Sequence, residues 1–412
     1  MRVAHFVQRY PPALGGSEAY FARLSRYLTT AGHGVSVFTT TALDLPAFWS
    51  PRGRRLPPGV ACEDGVEVRR YSPSWCFRGR RWFLKALSLV PVRPWQLLTM
   101  PCNPLTPGMW HDAGHADLHF DVVHATAFPY GWVLASALRL ARRLGVPYLV
   151  TPFLHLGDPD NPRDRSRRAY LSPALSTILH AAARIFVQTD VERDALLAHG
   201  LPTDKLVLQG LGVDPAACTG GDRRRAREDW GAAPHEVVVG HLANNSVEKG
   251  TVDLLLAAER AWAAGCRFRM VLAGPEMPNF RTFWASYGAR ERVTRLGVLD
   301  ESGKRDFFAG LDVFAMPSRS DSFGLVFLEA WANGLPNLAY RAGGVPGVIR
   351  HGEDGLLVRQ GDVIGLAEAL GRLVDDADLR GRMGESGRAR LPHDYRWEDK
   401  LDLVRRVYLE VA

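Results

Sequence analysis

The stretch VAHFVQRYPPALGGSEAYFARLSRYLTTAGH, Val3–His33, decides the architecture. Val3–Val7 is a short apolar run that reads as a buried strand. Gln8–Ser17 is a loop with two prolines and two adjacent glycines. From Glu18 the apolar positions recur at helical spacing until Gly32 closes the segment. Strand, glycine-rich loop and helix form the opening unit of a parallel α/β sheet, and the rhythm continues outward from it. VSVFTT (Val35–Thr40), FDVVHA (Phe120–Ala125, after an irregular stretch), PYLVTPF (Pro147–Phe153) and RIFVQTD (Arg184–Asp190) read as further strands, with helical segments such as Trp132–Gly145 between them. Asp214–Glu236 breaks the pattern. It then restarts with EVVVGHLA from Glu236, FRMVLAG, RVTRLG, VFAMPS and PNLAY, and ends in an amphipathic helix. The fold class is α/β, with two facing, doubly wound Rossmann-like domains and a cleft at the carboxyl ends of their strands. The expected division is 1–213, 214–395, and a terminal helix over 396–412 that packs back toward the first domain.

At 412 residues, with 46% hydrophobic and 23% charged residues, the chain is long enough for two cores and too apolar for general disorder. The net charge of +7 is unevenly divided. Up to position 210 there are 24 basic and 15 acidic residues, and after it 27 and 29, so the front half alone is strongly cationic and suited to an anionic partner. Of 51 basic residues only Lys85, Lys205, Lys249, Lys304 and Lys400 are lysines, which makes each one conspicuous. Five widely spaced cysteines without a CxxC pair argue against a disulfide framework or a thiolate zinc site and fit a reducing cytoplasm. No apolar run is long enough for a signal segment or a membrane span, so the expected location is the cytoplasm, at most peripheral to a membrane at its inner face.

Gly15, Gly16 and Ser17 open the first helix. On its own this loop is a plain turn with a helix cap, or else an anion site; it matches neither GxGxxG nor GxxxxGKS. Lys249, followed by Gly250, lies between the first strand of the back domain and its helix. A cation at a helix start opposes the dipole unless an anion joins it, so Lys249 reads as a partner for phosphate. In PSRSDSFGLVFLEAWANGLP, Pro317–Pro336, Asp321 and Glu329 stand eight residues apart around Gly324. Along a helix that is about 12 Å, too far for paired glycosidase carboxylates and closer to the span between the sugar and the ribose of a nucleotide sugar. The N–H groups of Phe323, Gly324 and Leu325, with Ser322 beside them, would meet the diphosphate between.

GGSE at the front, VEKG, the segment just quoted, GGVPGVI and HGEDGLLV occur in an order and spacing that resemble the retaining glycosyltransferases of family four, across nearly the whole chain. The resemblance implies the GT-B fold and transfer of a sugar from a UDP or GDP sugar to a hydroxyl with retention. It also implies no cofactor and no metal. It further implies that Lys249 binds the diphosphate, Glu329 the ribose hydroxyls, the Gly16 amide the diphosphate, and His155 the donor sugar, with His124 near the acceptor. Two positions depart from the family. Asp321 replaces its first motif glutamate, and His241 stands where an arginine is usual, as a weaker phosphate partner or with Asn244 and Asn245 taking over that role.

His111, His115 and His119 are spaced as metal ligands on one helix face, but the run leads straight into a strand, and a solvated or acceptor-facing cluster is the preferred reading. Residues 69–93 hold seven basic and no acidic residues among Trp75, Phe77, Trp82 and Phe83. Arg78, Arg80 and Arg81 are accordingly expected at an acceptor carrying phosphate or lipid, or at an anionic membrane; a packed insertion is the alternative. Nucleic acid is not expected. The expected partners are thus a nucleotide sugar and a glycan, lipid-linked or phosphorylated acceptor. Other readings are a nucleotide-sugar epimerase or another GT-B enzyme, or a catalytically weak nucleotide-sugar-binding protein.

Overall fold

The computed structural model describes residues 1–74, 79–126 and 128–412. Strands between Arg2 and Leu208 form one eight-stranded sheet, and strands between Val237 and Arg359 form a second of six. Both are parallel apart from one edge hairpin. Val3, Ala4, Phe6 and Val7 are all buried, because helices cover both faces of a parallel sheet; this is why the strand reads as a continuous apolar run. Arg2–Val7 pairs with Gly34–Thr40 on one side and Val122–Ala125 on the other. Val237–Leu242 lies in the same way between Phe268–Ala273 and Val313–Ala315. These two strands are the points where the winding reverses, and the loops leaving them, with Gly15–Gly16 and with Lys249, are where an open α/β sheet binds ligands.

The stretch read as irregular before Phe120 contains the edge hairpin Gly59–Glu63 and Val66–Tyr71. Its turn residues Asp64 and Gly65 both have positive φ, at 50° and 76°, as a two-residue hairpin turn requires. At the sheet edge one face meets solvent, so Val66–Tyr71 alternates buried and part-exposed residues and carries charges that hide its strand character.

The terminal helix Trp397–Val411 leaves the back domain and packs on the front one, where Arg184 pairs with Glu410 at 2.7 Å. One apolar cluster accordingly runs from Val3 and Tyr20 through Trp397 and Tyr408 to Trp331, joining the two sheets. No helix among the described residues is long and apolar enough to cross a membrane.

Candidate active site

A cleft of about 480 Å³ lies between the carboxyl ends of the two sheets. From the front domain it is lined by Gly15, Gly16, Arg9, Tyr130 and His155, and from the back domain by Asn244, Lys249, Asp321 and Ser322–Val326. A second pocket of about 370 Å³ adjoins it, sharing Gly15 and Leu325, and holds Glu329. A wider hollow of about 620 Å³ opens elsewhere, beside Arg2, Gly34 and Asp117, at the amino ends of the front strands, away from these residues.

Lys249 is carried by the turn before helix Thr251–Ala263, where its N–H donates to Ser246 Oγ at 3.1 Å. The next residue, Gly250, has φ 74°, and a Cβ there would sit 1.9 Å from the Pro317 carbonyl oxygen. Only glycine lets this turn approach the segment before Asp321 so closely. As a result Lys249 Nζ donates to Asp321 Oδ2 at 2.6 Å. The Asp321 turn is backed by Gly344, whose N–H donates to the Asp321 carbonyl at 2.7 Å and whose missing Cβ would meet Ser322 O at 1.9 Å. Burial acts to raise the Asp321 carboxyl, but the Lys249 ammonium, with His155 and the Phe323 amide, outweighs it and holds the group below its usual range.

His155 lies on a front-domain loop and crosses the cleft. Its Nδ1–H donates to the Ser320 carbonyl at 3.1 Å, and nearby the Gly157 N–H donates to Ser320 Oγ at 3.2 Å. Burial lowers the imidazole, and the Lys249 ammonium acts in the same direction while Asp321 acts against it. Behind it, the buried Glu192 accepts from the Leu154 and Gln188 amides at 2.9 and 2.6 Å and fixes the loop. Helix Leu325–Ala332 starts at Gly324, and Gly324, Leu325 and Val326 line the cleft, so first-turn N–H groups that lack intrahelical partners sit at its wall beside Lys249.

Several expected site residues face elsewhere. His241 is completely buried; its Nδ1–H donates to the Ala315 carbonyl at 2.9 Å and its Nε2 accepts from Thr251 Oγ1 at 2.9 Å. Burial lowers it to about 4, so it is a neutral strut between strand and helix, not a phosphate partner. Asn245 is also buried, with Nδ2 donating to the Gly274 carbonyl at 3.1 Å, and it ties two strand-end loops together; Asn244 alone of the pair lines the cleft. His124 has no exposed surface and bonds Tyr408 at 2.5 Å and Thr151 at 2.8 Å, which removes it from any acceptor. Arg80 is buried and donates to the Phe48 and Asn103 carbonyls at 3.1 and 2.5 Å, so it is part of the packing. Arg81 stacks over Trp49 at 4.9 Å, and Arg78, Trp75 and Phe77 lie outside the described residues. His111 and His115 stack on an exposed helix that ends at His115, so His119 is off that face. No group of metal-binding side chains occurs among the described residues.

The sequence reading missed two ion pairs. Arg9 pairs with the buried Glu18 at 2.7 Å beneath the Gly15–Gly16 loop. A Cβ on Gly15 would sit 2.2 Å from that carboxylate, which explains the first glycine by packing. Lys304 Nζ donates to Glu329 Oε1 at 2.5 Å. The scarcity of lysine was the available signal for the second pair; nothing local marked the first.

Two Rossmann-like domains facing each other across a cleft that holds a paired lysine and aspartate and a helix N-terminus, with a glutamate in the adjoining pocket, have the arrangement of a glycosyltransferase of GT-B fold. Residues 222–390 match the family of glycosyl transferases group 1, and residues 15–212 match the glycosyl transferase 4-like domain. A D-inositol 3-phosphate glycosyltransferase of Actinosynnema mirum is 30% identical over 89% of this chain and 85% of its own length. The one from Mycobacterium marinum is 28% identical over 96% and 81%. Among solved structures, sucrose-phosphate synthase from Thermosynechococcus elongatus superposes with a TM-score of 0.74 at 21% identity, covering 99% of this chain and 98% of that one. HepE of Anabaena in complex with UDP-glucose gives 0.72 at 16% identity over the full length of both. The chain belongs to the glycosyl transferases group 1 family and is a glycosyltransferase.

Proposed function

We propose that the enzyme transfers a sugar from a UDP or GDP sugar to a hydroxyl of a phosphorylated or lipid-linked acceptor, with retention of configuration. The observation that carries this reading is Lys249 beside the N-terminus of helix Leu325–Ala332 in a cleft continuous with the Glu329 pocket. An arriving diphosphate competes for the Lys249 ammonium, and Asp321, released from it, becomes an acceptor for sugar hydroxyls. As the bond from the anomeric carbon to the phosphate oxygen breaks, charge grows on that oxygen, where lysine and helix amides stabilise it. The acceptor oxygen bonds to the same face of the anomeric carbon, and its proton passes to the leaving diphosphate. His155 and Gly16 line the same cleft, and in this reading the imidazole meets the donor sugar while the Gly16 amide meets the diphosphate. The UDP-glucose complex of HepE supports the donor class, and the inositol phosphate named for the curated relatives supports a phosphorylated acceptor.

A lipid-linked acceptor is favoured by a different observation. No acidic residue occurs between Glu67 and Asp112. Within that span, Trp82 is 73% and Leu89 77% exposed on and after helix Arg80–Leu87, with Val92 at 52%. This apolar, cationic edge connects through Phe48 to Tyr130 at the cleft, their rings 5.3 Å apart. The test is acceptor-dependent release of UDP or GDP from their sugars, with the product's anomeric proton read by NMR. Inositol phosphate and a lipid-linked phosphate in anionic vesicles serve as the two acceptor arms. Acceptor-free epimerisation, or an inverted product, would refute the proposal.

A further inference from the structure

Lys304 lies on helix Glu301–Gly310, which supplies none of the residues expected at the donor site. Its ammonium caps only one oxygen of Glu329, Oε1. The other, Oε2, is buried and has no hydrogen-bond partner among the described residues. A buried carboxylate oxygen without a donor is costly, so Oε2 is open to a hydroxyl that enters the pocket. Both side chains line the pocket that continues from the cleft, opposite the Pro11–Gly15 loop.

We propose that Lys304 is a positioning residue for the nucleotide: it clamps Glu329 Oε1 so that Oε2 is held toward the vicinal hydroxyls of a ribose. This rests on the donor reading given above and adds to it a residue that sets how well the ribose is recognised. The surroundings make the clamp necessary. Burial raises the Glu329 carboxyl, Lys304 works against that, and Glu301 on the same helix reinforces the rise. Cys218, on the short helix packed beside it, has a thiol pushed up to about 12 and is neutral, and Asp214 precedes that helix. Arg23 and Arg26 line the pocket from the front-domain helix. Without Lys304 the carboxyl would take up a proton more readily and would be free to turn.

The test titrates UDP, GDP and ADP, with the 2′,3′-dideoxy form of whichever binds tightest, into wild type, Lys304→Met, Lys304→Arg and Glu329→Ala by calorimetry at pH 6 and pH 8.5. Wild type should prefer the ribose form by about tenfold or more, the scale of a charged hydrogen bond. In Lys304→Met the preference should fall below about threefold at pH 6 and recover in part at pH 8.5, while Lys304→Arg restores it at both. Glu329→Ala should abolish it at both pH values. If Lys304→Met, folded by circular dichroism, keeps the wild-type preference at both pH values while Glu329→Ala loses it, the positioning role is wrong and the donor reading stands. If no nucleotide binds wild type, or Glu329→Ala keeps the preference, the donor reading itself fails.

Discussion

His241→Ala separates a strut from a phosphate ligand. In the folded protein the Ser246 N–H donates to Thr251 Oγ1, the Thr251 hydroxyl donates to His241 Nε2, and His241 Nδ1–H donates to the Ala315 carbonyl. Truncation removes two hydrogen bonds, about 1 kcal/mol each, and leaves a cavity at a fully buried site worth about 2 kcal/mol more, so about 4 kcal/mol in all. At about 2 to 4 °C per kcal/mol the melting temperature should fall by roughly 10 °C. The loss should also depend on pH. The unfolded histidine takes up a proton below its ordinary value of about 6.5, and the folded one only below about 4. Folded wild type therefore binds fewer protons than the unfolded chain in that window. Its stability is complete above 6.5 and falls by about 3 kcal/mol as pH drops toward 4. The alanine variant lacks this term, so the gap in melting temperature between the two should narrow from pH 7.5 to pH 4.5. Differential scanning of both proteins across that range, with donor affinity measured in parallel, is the assay. A variant with the wild-type melting temperature at every pH and weakened nucleotide binding would show that His241 reaches the phosphate after all.

Lys249→Ala should lower kcat about 100-fold or more at saturating donor, since it removes a cation aimed at the leaving diphosphate; steady-state kinetics on the folded variant check this. EDTA should leave turnover unchanged, because Lys249 and the helix N-terminus supply the positive pole; loss on chelation and recovery with Mg²⁺ would contradict it. Changing Arg81, Lys85 and Arg93 together to Ser should weaken binding to phosphatidylserine vesicles at low salt by about 100-fold, at about 1 kcal/mol per cation, as read by co-sedimentation. Arg80 is left intact in that variant because it holds the Phe48 and Asn103 carbonyls. Equal sedimentation of both proteins would assign this edge to packing alone.

The two-domain fold was legible because each strand–loop–helix unit is written in consecutive residues, and the reversal of winding places the Gly15–Gly16 and Lys249 loops opposite each other. Lys249, Asp321 and Gly324 were legible for the same reason: a cation before a helix and a glycine at a helix start are local statements. What failed is direction and long-range pairing. Sequence does not say that His241 points from its strand toward Thr251, ten residues on, while Asn244, three residues later, faces the cleft. His124 looked available because its partner Tyr408 is 284 residues away, on a helix that returns from the other domain. Lys304 and Glu329 are 25 residues apart, on different helices, and only packing brings them together. Arg80 was one cation of a basic run until burial gave it two backbone carbonyls.

The most direct test of the central claim, that the cleft between the sheets is the donor site, is a crystal structure with whichever of UDP or GDP raises the melting temperature more. A diphosphate oxygen should lie within hydrogen-bond distance of Lys249 Nζ and of the amides at Gly324–Val326, with Asp321 released from Lys249 and the ribose hydroxyls at Glu329 Oε2. Nucleotide bound in the hollow beside Arg2 and Asp117, or in the cleft with Lys249 still paired to Asp321 and Glu329 Oε2 untouched, would contradict it.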